Sequence, residues 1–581
     1  MPVGGITAVP GPSGRARNGK AAELVLRNAH IHTQDPSRPA ATAIALRGGR
    51  ITALGDDGDV ARLVGPATRV VDALGRRVVP GLNDSHLHVI RGGLNYVLEL
   101  RWDGVPSLRQ ALAMLREQAG RTPRGQWIRV VGGWTAEQFA ERRMPTAAEL
   151  TAAAPDTPVF VLHLYQSAVL NRAAVRAAGF TRHFLRELNR FGLTSAVDAA
   201  GGFQSFPENY ATVTELARAG ELSVRIGYHL FPQTAGQELA DLARWTETVR
   251  PGDGDAWLRL NGAGENLTWA AADFENFSEP RPELGSYEGE FEKAVRLLME
   301  NGWGFRLHAT YDETIGRDLA VFEKLAADGL FPAGNRWLFD HAETVSAGNL
   351  ERIVALGGGI SVQNRMSFQG TAFAQRYGSA AAALAPPVAD MLRHDLPVAA
   401  GTDATRVSSY NPWVALHWLV TGRTVGGAAL RPAGQLVSRE QALELYTLGG
   451  ARVTGEEEHK GVLGEDRFAD FAVLSHDYFA VAADDIPHIE SLLTVAGGRI
   501  VYAAGEYEGL DEALPPVGPG WSPVAHFGGY QATPPPSASG ARQADLLAEA
   551  VAASEQHRRW RAARGFAPEE PPAVFDPCFG L

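Results

Sequence analysis

Between about Pro80 and Gly455 the sequence alternates short apolar runs with helical stretches, and no other feature narrows the fold so sharply. The runs include "WIRVVGG", "PVFVLHL", "LTSAVDAAG", "LSVRIGYHL", "WLRLNGAG", "GFRLHAT", "RWLFDHAE", "GGGISVQN" and "PVAAGTDAT"; between them lie stretches such as "SLRQALAMLREQAG" and "FEKAVRLLMENG". Apolar runs of that length, bounded by glycine and rich in β-branched residues, read as strands buried on both faces, which is the habit of a parallel sheet. Eight or nine strand–helix repeats predict an α/β fold, a (β/α)8 TIM-like barrel. An open doubly wound sheet is the other way to lay out such repeats, but no Gly-x-Gly-x-x-Gly opens a helix after the first strand.

The texture differs at the two ends. Residues 21–79 and 456–508 carry short alternating runs separated by tight turns, and Gly48-Gly49-Arg50-Ile51 is nearly repeated as Gly497-Gly498-Arg499-Ile500. Hairpins alike in pattern predict one small β-sandwich built from both chain ends around a barrel at 80–455. Residues 1–20 read as a disordered lead. Residues 509–581 read as a Pro/Gly-rich linker and an appended helical tail, "ARQADLLAEAVAASEQHRRWRAARG", expected to dock on its own body or on a second copy as a homodimer.

Bulk properties narrow the partners. The formal charge of -12 over 581 residues argues against a nucleic-acid or anionic-membrane surface. No apolar run of about twenty residues occurs, so no membrane span is expected. The single cysteine, Cys578, rules out internal disulfides and thiolate-rich metal sites, which favours a reducing, cytoplasmic setting.

The chemistry-bearing residues sit at strand ends. His86 and His88, in "VVPGLNDSHLHV", are two apart, so on a strand they project from one face. Two imidazoles so placed suit one transition ion, with Zn2+ the default and Mn2+ or Fe2+ as alternatives. His308 ends "WGFRLHA", His341 ends "RWLFDHAE", and Asp403 ends "LPVAAGTDA", each before a loop or helix, where barrel enzymes place catalytic groups. Trp134, Tyr165, Tyr311, Trp413 and Arg406 lie beside strand ends and are candidates for a substrate pocket that takes a bulky, partly apolar molecule. His163 and His229 read as core histidines, and Glu265 in "LNGAGENL" as a solvated loop residue, with a metal-bridging carboxylate as its alternative role.

Taken together, Pro-Gly-x-x-Asp-x-His-x-His, two later histidines and Gly-Thr-Asp resemble the metal-dependent amidohydrolase superfamily, and within it amidohydrolase family 3, the YtcJ-like branch. The signatures "VVPGLNDSHLH", "GLTSAVDAAGG", "FRLHATYDETI", "FDHAET", "AAGTDAT" and "FADFAVLS" carry the resemblance from Glu23 to Tyr502. It implies a metal-binding barrel with a two-ended sandwich, and His86, His88 and His308 as metal ligands. It implies that His341 either binds a second metal or polarises the scissile carbonyl, and that Asp403 contacts the metal and acts as general base. Many superfamily members bridge two metals with a carboxylated lysine on the fourth strand. The lysines here are Lys20, Lys293, Lys324 and Lys460, none at the end of a middle strand. One ion, held by His86, His88, His308 and Asp403, is therefore expected rather than two. Relatives of this branch also carry several dozen more residues near Phe180, where a strand, mouth loops or a bridging residue are expected to be missing.

The expected activity is hydrolysis of a non-peptide C–N bond, an amide, N-acyl or N-formyl group, of a small molecule by metal-activated water. Deamination, ester or lactone hydrolysis on the same site, and a non-catalytic binding relative with a shortened wall, are the alternatives.

Overall fold

The computed structural model describes residues 21–530, except 124–125, 127, 158, 162–176, 203, 275–276, 278–279, 332–335, 515 and 518–519. Eight strands form its central sheet: Leu82–Leu87, Leu193–Asp198, Arg225–Leu230, Leu258–Ala263, Gly304–Ala309, Trp337–His341, Gly359–Gln363 and Val398–Gly401. They pair in chain order and all in parallel. Just past its last residue the eighth strand meets the first. Asp403 N donates to His86 O at 2.8 Å and His88 N to Ala404 O at 2.8 Å, so the sheet curls into a nearly closed barrel.

The outer helices bury one stripe each. Glu288–Glu300 turns Phe291, Ala294, Val295, Leu298 and Met299 inward, the 3.6-residue period of a helix lying on a sheet. Several strands are buried along their whole length, as a sheet walled by helices requires.

Two of the apolar runs are not barrel strands. Ile128–Val130 and Val159–Val161, from "WIRVVGG" and "PVFVLHL", join Glu99–Leu100 in a separate three-stranded parallel sheet between the first and second barrel strands. This module has its own core around Trp102, Leu115, Trp134 and Phe139. A run buried on both faces reports burial and not which sheet it enters, so the sequence pattern alone did not separate the two.

Beyond the barrel, one sheet joins the chain ends. Phe471–Leu474 pairs antiparallel with Arg77–Pro80, and Phe471, Val473, Leu493 and Val495 share a core with Leu26, Ile44 and Val78. The near-repeated glycine pairs form two hairpin turns with positive φ at all four glycines. The turns face each other: a Cβ on Gly49 would stand 3.1 Å from the carbonyl oxygen of Gly497.

After the sandwich the chain crosses to the outlying module, where Gln118 donates to the Trp521 carbonyl at 2.9 Å and His526 lies 2.6 Å from Glu117. The helical tail, and with it the basis of the homodimer expectation, lies outside the described residues, as does the lead at 1–20. Among the described residues no helix is long and apolar enough to cross a membrane.

Candidate metal centre

The C-terminal ends of five barrel strands converge on one buried cluster. Asp403 Oδ1 lies 3.1 Å from His88 Nε2 and 3.3 Å from His86 Nε2. Glu265 Oε2 lies 3.1 Å from His86 Nε2, 3.7 Å from His341 Nε2 and 3.9 Å from His308 Nδ1, while its Oε1 faces His88 Nε2 at 3.8 Å. Two triads bring their ligand atoms within 4.8 Å of one another: His86, His88 and Asp403, and His86, Glu265 and His341. His308 stands at the edge of the second, with its ring centroid 4.2 Å from that of His341.

Local backbone geometry aims these side chains. His341, Ala342 and Asp403 have φ of 78°, 51° and 55°, the left-handed region that non-glycine residues seldom adopt. Such outliers gather where a site needs a side chain turned against the strand's regular alternation. Asp84, of the "PGLND" break, seams the barrel beneath by accepting from His86 N at 2.9 Å and from Thr402 N at 3.1 Å.

A second layer orients the imidazoles. His88 Nδ1 donates to the Ala200 carbonyl at 2.5 Å, and its Nε2 faces Asp403 and Glu265. His86 Nδ1 lies 2.8 Å from Asp340 Oδ1, and Asp340 is anchored by the buried Arg306 guanidinium, Nε to Oδ2 at 2.7 Å. Burial lowers the His86 pKa, but Asp340, Glu265 and Asp403 outweigh it and raise it well above its ordinary value. Burial, with His308 adding to it, pulls His341 down to about 4. Burial would raise Asp403, yet the Arg365 guanidinium and His86 hold its carboxyl well below the usual range.

The donors fit a divalent ion. His86 Nε2 and both Glu265 oxygens are buried and make no hydrogen bond, a costly state that a cation relieves. Imidazole nitrogens with carboxylate oxygens are the donor set zinc takes, and the Asp340 and Ala200 contacts are of the kind that brace metal-binding histidines.

Glu265 requires a correction. It is not a solvated loop residue: its side chain is fully buried just past the fourth strand, the position from which a bridging lysine would come. Arg365 carried no expectation from the sequence. It opens the helix Arg365–Tyr377 after the seventh strand and reaches Asp403 Oδ2. Arg365 belongs to no short motif, so composition and spacing offered no signal for it.

The proposed pocket residues fare differently. Trp134 stacks on Phe139 with centroids 5.5 Å apart, inside the outlying module's core. Trp413 is a core residue whose indole donates to the Phe191 carbonyl at 3.1 Å. Tyr311 occupies the N-cap position of the helix Asp312–Ala327, and its hydroxyl lies 3.4 Å from that of Tyr377. Arg406 is buried in the loop after Asp403. His229 is a core histidine, with Nδ1 3.2 Å from the Asp198 carbonyl. Tyr165 and His163 lie outside the described residues. A cavity of about 290 Å3, lined by Gly133, Phe139, Phe368, Ser409 and Tyr530, contains none of the clustered ligand-type residues.

The amidohydrolase family model matches residues 69–183 and 176–502. The chain belongs to the amidohydrolase family. Its two matched stretches meet near Phe180, where the sequence looked short, and all eight barrel strands are present among the described residues, so the barrel itself lacks no strand. Curated relatives include Protein LONG AFTER FAR-RED 3 of Arabidopsis thaliana, 23% identical over 83% of this chain and 92% of that protein. The N-substituted formamide deformylase of Arthrobacter pascens is 22% identical over 83% of this chain and 98% of that protein. Among solved structures, an uncharacterised metal-dependent hydrolase from Pyrococcus horikoshii superposes with a TM-score of 0.58 at 19% identity, covering 79% of this chain and 99% of its own. At that identity the likeness speaks for the fold.

Proposed function

We propose that this amidohydrolase-family protein is a metal-dependent hydrolase of a non-peptide C–N bond, with an N-formyl or N-acyl amine as substrate class. The observation that carries the reading is the carboxylate of Glu265 set among four histidines, with Asp403 Oδ1 between His86 and His88. His86, His88 and Asp403 would hold one Zn2+; Glu265, His341 and His308 face the same volume from the other side. The expectation of a single ion rested on the absent lysine. Glu265 supplies a carboxylate where that lysine would stand, so it can bridge to a second ion.

A bound divalent ion would acidify a water and polarise the substrate carbonyl. The residues of this chain do the rest. The Asp403 carboxylate takes the proton from the attacking water as the water's oxygen bonds to the carbonyl carbon, and returns that proton to the nitrogen as the C–N bond breaks. His341, uncharged at neutral pH because burial and His308 depress its pKa, is free to act as a ligand without first losing a proton. The likeness to the N-substituted formamide deformylase favours a formamide over the ester, lactone and heterocycle alternatives.

The test is to load the purified protein with Zn2+ and measure hydrolysis of N-substituted formamides, N-acyl amines, esters and lactones, alongside ion content and the D403N variant. Formamide cleavage that D403N abolishes supports the reading. Turnover confined to esters, or turnover that survives D403N, refutes it.

A further inference from the structure

Asp403 is held at both ends. Its backbone N–H donates to the His86 carbonyl at 2.8 Å, across the seam between the eighth and first strands. Its side chain meets Arg365, whose Nε and Nη2 both donate to the same oxygen, Oδ2, at 3.0 and 2.8 Å. This is not the usual fork in which a guanidinium spans both carboxylate oxygens. Oδ1 is thereby left to His88 and His86, 3.1 and 3.3 Å away. Arg365 Nη2 also lies 3.4 Å from His341 Nε2, so the guanidinium stands between the two halves of the cluster.

Arg365 comes from a rigid base. It is the first residue of the helix Arg365–Tyr377, directly after the seventh strand, and the helix buries Met366, Phe368 and Phe373. Both Arg365 and Asp403 are fully buried. A buried ion pair is an expensive way to gain stability, since desolvation offsets most of the attraction. Its one-sided geometry at a ligand-type carboxylate points to another purpose.

We propose that Arg365 is the positioning residue for Asp403: by occupying Oδ2 it makes Asp403 a single-oxygen ligand and keeps Oδ1 aimed at the ion held with His86 and His88. This rests on the reading of Asp403 as a metal ligand. Without Arg365 the carboxylate rotates and offers both oxygens, which raises the coordination number and takes up the place of the attacking water.

The test uses Co2+ as probe. Full-length wild type, R365K, R365M and D403N are stripped, loaded with Co2+, and compared by visible spectrum, ion content and thermal midpoint. D403N is expected to change the spectrum. At equal ion content R365M is expected to give weaker, blue-shifted bands as a second carboxylate oxygen binds. R365K, which keeps the charge but presents a single donor nitrogen, is expected to fall between R365M and wild type. Should R365M fail to fold, the shift in R365K carries the test. A purely structural role for Arg365 lowers the thermal midpoint and leaves the bands in place. Arg365 variants whose bands superimpose on wild type, while those of D403N differ, overturn the proposal. A D403N spectrum identical to wild type removes Asp403 from the ligand set, and the proposal falls with that reading.

Discussion

Glu265 Oε2 lies 3.1 Å from His86 Nε2, although the two residues stand on opposite sides of the barrel mouth, at the ends of the fourth and first strands. Neither atom makes a hydrogen bond, and both are buried. Where a carboxylate and an imidazole approach so closely without one, a shared cation is the economical explanation. That contact organises the site: His88 faces the other oxygen of the same carboxylate, and His308 and His341 gather on the side of Oε2.

Replacing Glu265 with Gln keeps its shape and removes its charge. We expect E265Q to bind fewer ions than wild type and to lose activity by about 100-fold or more, the scale on which misplaced reacting groups cost rate. Elemental analysis of dialysed protein checks the first point. A wild-type content near two ions that falls to one or below in E265Q identifies the bridge; an unchanged content excludes it.

Asp340 braces His86 from behind. D340N should weaken ion affinity by about 10- to 100-fold, as expected when the partner of a metal-binding histidine is lost. It also strips the buried Arg306 of its counter-charge, at a cost of about 3–5 kcal/mol in stability. Competition with a chromogenic chelator reads the affinity, and urea unfolding of the ion-free protein reads the stability separately.

Gly133 couples the outlying module to the loop behind Asp403. A Cβ there would stand 1.9 Å from Ser409 N and 2.1 Å from the Ser408 carbonyl carbon, both backbone atoms that cannot step aside cheaply. G133A is expected to destabilise the protein by about 1–3 kcal/mol and to lower kcat/KM as the loop shifts. A variant with wild-type stability and kinetics would mean that the module moves freely against the barrel.

Asp103 makes stability pH-dependent. Burial pushes its carboxyl up to about 6 against the opposing pull of Arg101. A carboxyl raised in the folded state binds its proton more tightly there than in the unfolded chain. Its contribution is therefore complete below its ordinary value of 3.8 and is lost as pH rises through about 6. The loss is on the order of 3 kcal/mol. D103N, which mimics the protonated form, should remove that decline. Urea midpoints of both proteins at pH 4.5 and 7.5 measure it: the variant should gain on wild type at the higher pH, and parallel behaviour would refute the assignment.

Much of this was legible in the sequence. The strand–helix rhythm predicted the barrel, the textures at the two ends correspond to β-sheets, one of which takes strands from both, and the strand-end positions of His86, His88, His308, His341 and Asp403 marked residues that do converge. Trp134 and Tyr311 follow strands as pocket residues do, but packing decides which way such a side chain turns, and both turn into cores.

The chain order of apolar runs and punctuating glycines determined the fold class and the strand ends on which ligand-type residues sit, because periodicity and burial are local properties written residue by residue. Only the tertiary structure decided that "WIRVVGG" and "PVFVLHL" leave the barrel, that Glu265 is buried among four histidines, and that Arg365 grips one oxygen of Asp403. Each of these depends on which distant segment closes against which. The Arg365–Asp403 contact spans 38 residues and that of Glu265 with His86 spans the barrel mouth, so neither leaves a trace in the spacing of its own neighbours.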